Sequence, residues 1–392
     1  MGTGTGKGTG LWGRVLGAGL LDSAVMRACG VWAVLAASFL GLGGCGDEAD
    51  PVETYAEAGE WGVGFTRRTV AYERPDGEGT RELETLFWYP TEATEGDPPR
   101  YTFGFSERAL VDAPPAAGPF PTIVFSHGHQ GLPDAHTFLM EHFASHGWLV
   151  IAPTHTGNTT ADGNNRVASI YYLRPWDVSR TLDFALELGA DDPLAGLSGT
   201  PRVVSGHSFG GYTAYAIAGA AYDVGAIEAG CAGDWTSPVC DELDEEALGY
   251  FEAGFHDARF DALISMAAGD ARLFGDGAGA AAIEVPVFQM VAEGDGHPPG
   301  SAGEDEYWVA LDGASDLRLD LLGGAHNSFS DVCASLPRFT GCPEENDAEV
   351  DQRHVRLYAL AFAEARVLGE DAAERVLEEP VVDPATLEMD RK

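Results

Sequence analysis

Short apolar runs bounded by turn residues alternate with stretches of helical periodicity along most of this 392-residue chain. The strand-like runs are 121–125, 148–152, 203–204, 261–267, 285–291 and 317–322. Helical spacing occurs over 138–146, 175–188, 212–221 and 350–368. Because a helical crossover between strands of one sheet makes those strands parallel, the alternation predicts a mostly parallel central sheet with helices on both faces.

Two earlier stretches, 61–72 and 81–89, flank a Pro-Asp-Gly turn and predict an antiparallel hairpin at the start of this α/β fold. The rest of the chain shows no internal repeat and no change of composition, which favours one domain over 60–392. The segment 91–118 is rich in proline and polar residues, and 222–258 separates a predicted helix from the next strand. We therefore expect insertions near both segments.

Residues 1–44 have the layout of a secretory signal peptide. Arg27 precedes an apolar run at 31–42, which is short for a membrane span. The run ends Leu-Gly-Gly-Cys and resembles a bacterial lipobox, in which Cys45 becomes the lipidated first residue. Because a complete signal begins at Met26, that residue is an alternative start of the chain.

The acidic, proline-interrupted segment 45–59 is expected to be a tether between a lipid anchor and the domain. Together with the signal it predicts an exported bacterial lipoprotein on the periplasmic or outer-membrane face, with the membrane as a partner through Cys45. The alternative is a secreted protein in which Cys45 is incidental. No feature of the sequence indicates an oligomeric state.

The chain is strongly acidic, which restricts its partners. It carries 62 Asp and Glu against 23 Lys and Arg, a formal net charge of −39 at pH 7. Such a surface repels phosphate backbones and argues against nucleic acid as a partner. Neutral or zwitterionic small molecules suit it better than acids do.

With Cys29 in the signal segment and Cys45 assigned to the lipid, four cysteines remain and form two pairs, Cys231 with Cys240 and Cys333 with Cys342. The members of each pair are nine residues apart. In an oxidising compartment this favours disulfides, and closure within each pair is the simplest of the three connectivities. Zinc is the competing interpretation, but neither pair has the C-x-x-C spacing of a zinc site.

Ser208 lies between Gly206 and Gly210 in a G-x-S-x-G pattern. An apolar run precedes the pattern and an alanine-rich helical stretch follows it, which is the context in which the pattern is diagnostic. A sharp strand-to-helix turn crowds the backbone, favours glycine on both sides and exposes the serine hydroxyl above the sheet. The pattern predicts a nucleophile at Ser208, and the alternative is a passive serine on a glycine-rich turn.

A serine nucleophile needs a base, and the base needs an orienting acid. Of the 11 histidines, His326 follows the last strand-like run and a group of small residues, where we expect the base. The alternative for His326 is a structural histidine. The amides of His129, in the loop after 121–125, and of Phe209 are expected to bind the oxyanion.

A metal site is the alternative interpretation of the early histidines. It would combine His127 and His129 with His142 and His146, which are spaced by one helical turn. The second pair lacks the glutamate of an H-E-x-x-H motif, so we expect no metal and no cofactor.

Three motifs, FSHG, GHSFGG and GAHNSFSD, occur in this order and surround the residues just named. The set resembles the α/β-hydrolases of the plasma platelet-activating-factor acetylhydrolase type and the bacterial predicted dienelactone hydrolases. The resemblance covers about residues 60–335. It implies an α/β-hydrolase fold with Ser208 as nucleophile, His326 as base, and His129 and Phe209 as oxyanion donors.

The acid departs from the acetylhydrolase pattern. An ungapped match places Ala267 where those enzymes carry their acid, and alanine cannot orient an imidazole. Asp295 follows the next strand-like run, the usual location in most α/β-hydrolases, and is the favoured acid. Asp270 is the alternative, and Glu293 remains open.

These features favour a serine hydrolase that cleaves carboxylic esters through an acyl-enzyme. Small neutral or lipid-like esters are the favoured substrates, and lactones and polyesters are further candidates. The alternatives are a peptidase or acyltransferase on the same triad, and a non-catalytic surface-binding module that keeps the fold.

Overall fold

The computed structural model describes residues 1–2, 50–106, 108–163, 167–295, 303–343, 347–378 and 386–392. The chain separates into two compact units, Met1–Glu48 and Ala49–Lys392, and nearly all described residues belong to the second. Most of the signal segment, together with Cys45, lies outside the described residues. Within the described part of the chain, no helix combines the length and the apolar character that crossing a membrane requires.

The strands of the described residues are β1 (Gly62–Glu73), β2 (Thr80–Thr91), β3 (Arg100–Tyr101), β4 (Gly104–Phe105), β5 (Ala109–Val111), β6 (Phe120–Ser126), β7 (Leu149–Pro153), β8 (Ser198–His207), β9 (Ala262–Met266), β10 (Val287–Ala292), β11 (Leu317–Leu321) and β12 (Leu387–Arg391). Ten of them form one sheet in the order β12-β11-β10-β9-β8-β6-β7-β2-β1-β5. The pairs from β7 through β6, β8, β9 and β10 to β11 are parallel. The predicted fold class, a mostly parallel sheet with an N-terminal antiparallel β1–β2 hairpin, is confirmed.

The helices are α1 (Pro51–Ala56), α2 (Thr137–Ser145), α3 (Ala168–Glu187), α4 (Phe209–Ala218), α5 (Val224–Ala232), α6 (Glu245–Ala253), α7 (Glu304–Ala310), α8 (Val332–Ser335), α9 (Ala348–Ala363) and α10 (Asp371–Glu378). They cover both faces of the sheet, as consecutive residues of β6 illustrate. Ile123 and Phe125 pack with α2 and α9 in one core, whereas Val124 packs with α3 and α4 in the other. A strand buried on both faces reads as a continuous apolar run, which is why β6 was recognisable in the sequence.

Three segments that the sequence singled out contain regular elements that it did not predict. The tether segment 45–59 is helical in α1, where Val52, Tyr55 and Ala56 are buried, so this part is packed against the domain rather than extended. The proline-rich segment 91–118 contains the β3–β4 pair and β5, which is parallel to β1. The segment 222–258 contains α5 and α6 and is closed by a disulfide between Cys231 and Cys240.

Candidate active site

Ser208 occupies the turn between β8 and α4 in a backbone conformation that residues other than glycine rarely adopt, with φ 58° and ψ −121°. Its amide donates to the Met266 carbonyl at 2.8 Å, which ties the turn to β9. A Cβ on Gly206 would lie 2.1 Å from the Gly210 oxygen, and one on Gly210 would lie 1.8 Å from the Ser126 oxygen. Steric crowding therefore explains both glycines of the G-x-S-x-G pattern.

His326 follows β11 at the same edge of the sheet and lies between a hydroxyl and a carboxylate. Its Nε2 is 2.9 Å from Ser208 Oγ, and its Nδ1 is 2.8 Å from Asp295 Oδ2. An ionised Asp295 accepts from Nδ1–H, which leaves Nε2 without a proton and able to accept from the serine hydroxyl. The fold thus joins Ser208, His326 and Asp295, which are far apart in the sequence, into one hydrogen-bonded chain.

The two alternative acids make other contacts. Asp270 accepts from the Tyr171 hydroxyl at 3.4 Å. Glu293 Oε2 accepts from the Gly323 amide at 3.0 Å. Of the three candidate acids, Asp295 is the one that is hydrogen-bonded to His326. Its side chain is only 7% exposed.

Hydrogen bonds in the loop after β6 fix the orientation of the peptide group between Gly128 and His129. The Gly128 carbonyl accepts from His127 Nδ1 at 2.8 Å and from the Gly131 amide at 3.1 Å. In a trans peptide the N–H points opposite to the carbonyl, so the His129 amide points away from both donors. The His155 amide donates to His127 Nε2 at 3.0 Å, which places the proton of His127 on Nδ1.

A second pair of buried histidines supports the segment that carries His326. His207 Nε2 donates to the His326 carbonyl at 2.8 Å, so His207 Nδ1 is the acceptor for His136 Nε2 at 3.2 Å. Burial lowers the pKa of His136 to about 3. Burial, followed by the neighbouring His326 and His136, holds the pKa of His207 well below its ordinary value. Both rings are therefore neutral near pH 7 and act as hydrogen-bond partners rather than as charges.

The histidines of the metal alternative do not converge. His142 Nε2 donates to the Tyr55 carbonyl and His146 Nε2 to the Glu57 carbonyl, each at 3.0 Å. His129 Nδ1 is 3.0 Å from Asn158 Nδ2. Within the described ranges, no group of three or more His, Cys, Asp or Glu side chains is arranged to hold a metal ion.

Both local cysteine pairs are closed as disulfides, Cys231–Cys240 and Cys333–Cys342. The second closes a loop that lies directly beside His326. The Asn327 amide donates to the Gly341 carbonyl at 2.8 Å, and these two residues directly follow His326 and precede Cys342 in the chain. This disulfide therefore restrains the segment next to the candidate base.

Sequence reasoning missed the buried polar groups behind these residues. His207 was visible inside the serine pattern, but nothing local indicated its contact with His326. Arg174 and Asp177 were visible only as charges in a helix with apolar neighbours, and both are 0% exposed. A buried charge requires partners, so this pattern was the available signal that a polar network lies under the site.

Parts of this chain are similar to known proteins. The family described as Chlorophyllase matches residues 89–227, a region that includes the loop after β6 and Ser208. No curated protein matches the chain. Among solved structures, a ferulic acid esterase from Streptomyces cinnamoneus is similar with a TM-score of 0.60 and 21% identity, over 86% of this chain and 98% of its own. At this level of identity the likeness concerns the fold alone.

Proposed function

We propose that this protein, whose fold is that of the α/β-hydrolases as its sequence predicted, hydrolyses carboxylic esters through an acyl-enzyme on Ser208. One observation carries the proposal. Ser208 Oγ, the His326 ring and the Asp295 carboxylate are joined by hydrogen bonds of 2.9 Å and 2.8 Å in the order that a serine nucleophile requires.

The first half-reaction forms the acyl-enzyme. Ser208 Oγ attacks the ester carbonyl carbon while its proton moves to His326 Nε2, and Asp295 stabilises the resulting imidazolium. The tetrahedral intermediate then collapses. The bond to the alcohol oxygen breaks, and His326 gives its proton to the departing alkoxide, which leaves as the alcohol.

The second half-reaction repeats these steps with water as the nucleophile. His326 takes a proton from water, the hydroxide adds to the acyl carbon, and the Ser208–acyl bond breaks. His326 returns the proton to Ser208 Oγ, and the carboxylic acid is released. No metal or cofactor enters either half-reaction.

Negative charge develops on the carbonyl oxygen in both half-reactions. The amide of Phe209 is at the N-terminus of α4, directly after the nucleophile, where the helix dipole also favours an anion. The amide of His129 is the second proposed donor, and the Gly128 carbonyl bonds described above support its orientation.

Small neutral or lipid-like esters are the proposed substrates. The net charge of −39 disfavours anionic ones, because the surface potential lowers their local concentration. The similarity to a ferulic acid esterase adds aromatic carboxylic esters to the candidates worth testing.

An exported location is part of the proposal. The two disulfides support an oxidising compartment, where such bonds persist. Lipidation of Cys45 and anchoring to the membrane rest on the sequence pattern alone.

The proposal is tested with purified wild-type protein and the Ser208→Ala variant on p-nitrophenyl esters of graded chain length and on methyl ferulate. Loss of the nucleophile is expected to lower kcat by several orders of magnitude, on the order of 10⁴-fold or more, and to abolish labelling by a fluorophosphonate probe. A folded Ser208→Ala protein that keeps a tenth of the wild-type rate contradicts the assignment.

A further inference from the structure

Arg174 is a fully buried guanidinium in the middle of α3, with a relative exposure of 0%. A buried charge is costly unless hydrogen bonds compensate it. Arg174 donates to Asn158 Oδ1 at 2.8 Å, to Ser126 Oγ at 3.2 Å, and to the His127 carbonyl. Two of these acceptors belong to the end of β6 and the loop that follows it.

The contacts of Arg174 extend to both halves of the proposed oxyanion hole. On one side Arg174 holds the His127 carbonyl and Asn158, and Asn158 Nδ2 donates to His129 Nδ1 at 3.0 Å. On the other side the Arg174 Cζ lies 4.6 Å from the centre of the Phe209 ring, a cation–π distance. One side chain therefore contacts both elements that carry the proposed oxyanion donors.

The charge that Arg174 places beside the His127–His129 loop depends on the titratable groups around it. Burial first, and then the neighbouring His155 and Arg174, hold the pKa of His127 well below its ordinary value. Burial and the charge of Arg174 lower the pKa of His155 to about 3. Asp177 accepts hydrogen bonds from Arg81 at 2.7 Å and from His155 Nδ1 at 2.8 Å. Both imidazoles are thus neutral near pH 7.

We propose that Arg174 is a positioning residue for ester hydrolysis, which holds the His127–His129 loop and Phe209 at the separation where their amides bind the oxyanion. The inference rests on the proposed function. It gives a role to Arg174, which is not part of the hydrogen-bonded chain at Ser208. A fixed cation behind the hole would also favour the negative charge that develops there, because such groups need no reorganisation during the reaction.

Two variants and one matched control test the proposal. Arg174→Gln removes the charge and the fork of donors, and Asn158→Ala breaks the link to His129 while keeping Arg174. Leu182→Ala is the control, because Leu182 lies on the same helix, is 0% exposed and belongs to an apolar core. It should lower Tm and leave kcat within about threefold of wild type, since the substitution leaves a cavity but removes none of the hydrogen bonds that hold the loop.

The expected result is a loss in kcat with KM changed by less than about threefold. Losing a single oxyanion donor typically costs about 10²–10³ in kcat, so Arg174→Gln is expected to fall in this range and Asn158→Ala to lose about tenfold. Phenylboronic acid gives a second readout, because its tetrahedral adduct on Ser208 occupies the oxyanion hole. Its Ki should rise in both variants by about the factor lost in kcat/KM and stay unchanged in Leu182→Ala.

Equal kcat values in Arg174→Gln, Asn158→Ala and the Leu182→Ala control would overturn the proposal, as would a loss confined to KM. If Arg174→Gln cannot be purified folded, Asn158→Ala decides by the same criteria. Ser208→Ala separates the two hypotheses. An active Ser208→Ala protein overturns the proposed function itself, whereas an inactive one beside a fully active Arg174→Gln overturns only the role of Arg174.

Discussion

Replacing Asp295 by asparagine tests the most informative contact of the candidate site. Asp295 Oδ2 lies 2.8 Å from His326 Nδ1, and the two side chains are 7% and 34% exposed. Asparagine has nearly the same shape, so the substitution changes the chemistry and little else. An amide that donates to Nδ1 stabilises the imidazole tautomer with its proton on Nε2, which cannot accept the proton of Ser208.

The magnitude follows from the contact itself. A carboxylate and an imidazolium about 4 Å apart interact by about 4 kcal/mol at an effective dielectric constant of about 20. Because each 1.36 kcal/mol is about tenfold in rate, loss of the charge alone corresponds to about a thousandfold. With the wrong tautomer added, Asp295→Asn is expected to lower kcat by about three to four orders of magnitude.

The assay is steady-state hydrolysis of p-nitrophenyl butyrate, with Asp270→Asn and Glu293→Gln as matched controls. Asp270 bonds to Tyr171 and Glu293 to the Gly323 amide, so each control should cost less than about tenfold. The thermal unfolding of all three variants is followed to exclude loss of the fold. A larger loss in Asp270→Asn than in Asp295→Asn would refute the assignment of the acid, as would an Asp295→Asn enzyme with a tenth of the wild-type rate.

Three further outcomes are expected. Replacing Cys333 and Cys342 together by serine should lower the free energy of unfolding by about 2–3 kcal/mol in urea titrations, because the open loop regains entropy in the unfolded chain; an unchanged midpoint contradicts this. His136 has a folded pKa of about 3 and an ordinary value of 6.5, so its contribution to stability is lost as the pH falls from about 6.5 toward 3. In His136→Phe the pH dependence of the unfolding free energy over this window should therefore be shallower by about 1.4 kcal/mol per pH unit, and equal slopes refute the lowered pKa. Cys45→Ser should move the protein from the membrane fraction to the soluble fraction of a bacterial host, whereas continued membrane association points to an uncleaved signal or another anchor.

The inner strands β6, β7, β9 and β10 were recognisable because each is buried on both faces. β12 was missed for the opposite reason. It lies antiparallel to β11 at the edge of the sheet, and Leu387 is its one buried residue, so the segment has no apolar run. The helix α1 was missed in a similar way. Its acidic residues are typical of a tether, and its burial depends on packing against distant helices of the domain.

The sequence by itself indicated the turn at Ser208 and the two disulfides, because the G-x-S-x-G pattern and each cysteine pair lie within a short stretch of chain. The crowding at Gly206 is local, since it comes from Gly210, whereas the crowding at Gly210 comes from Ser126 at the end of β6. A separation of nine residues lets two cysteines meet at a low entropic cost wherever the chain between them turns back on itself.

Only the tertiary structure decided which acid contacts His326 and what lies beneath the oxyanion loop. Asp270 and Asp295 follow neighbouring parallel strands, and the loops that carry them lie at the same edge of the sheet. Either side chain could therefore be brought near the histidine. The contact with Asp295 depends on the paths of two loops that are separated by 31 residues. The bond between Arg174 and the His127 carbonyl joins residues 47 apart. Such pairings cannot be predicted from local periodicity, because they depend on the packing of whole elements and on the cost of burying an unpaired charge.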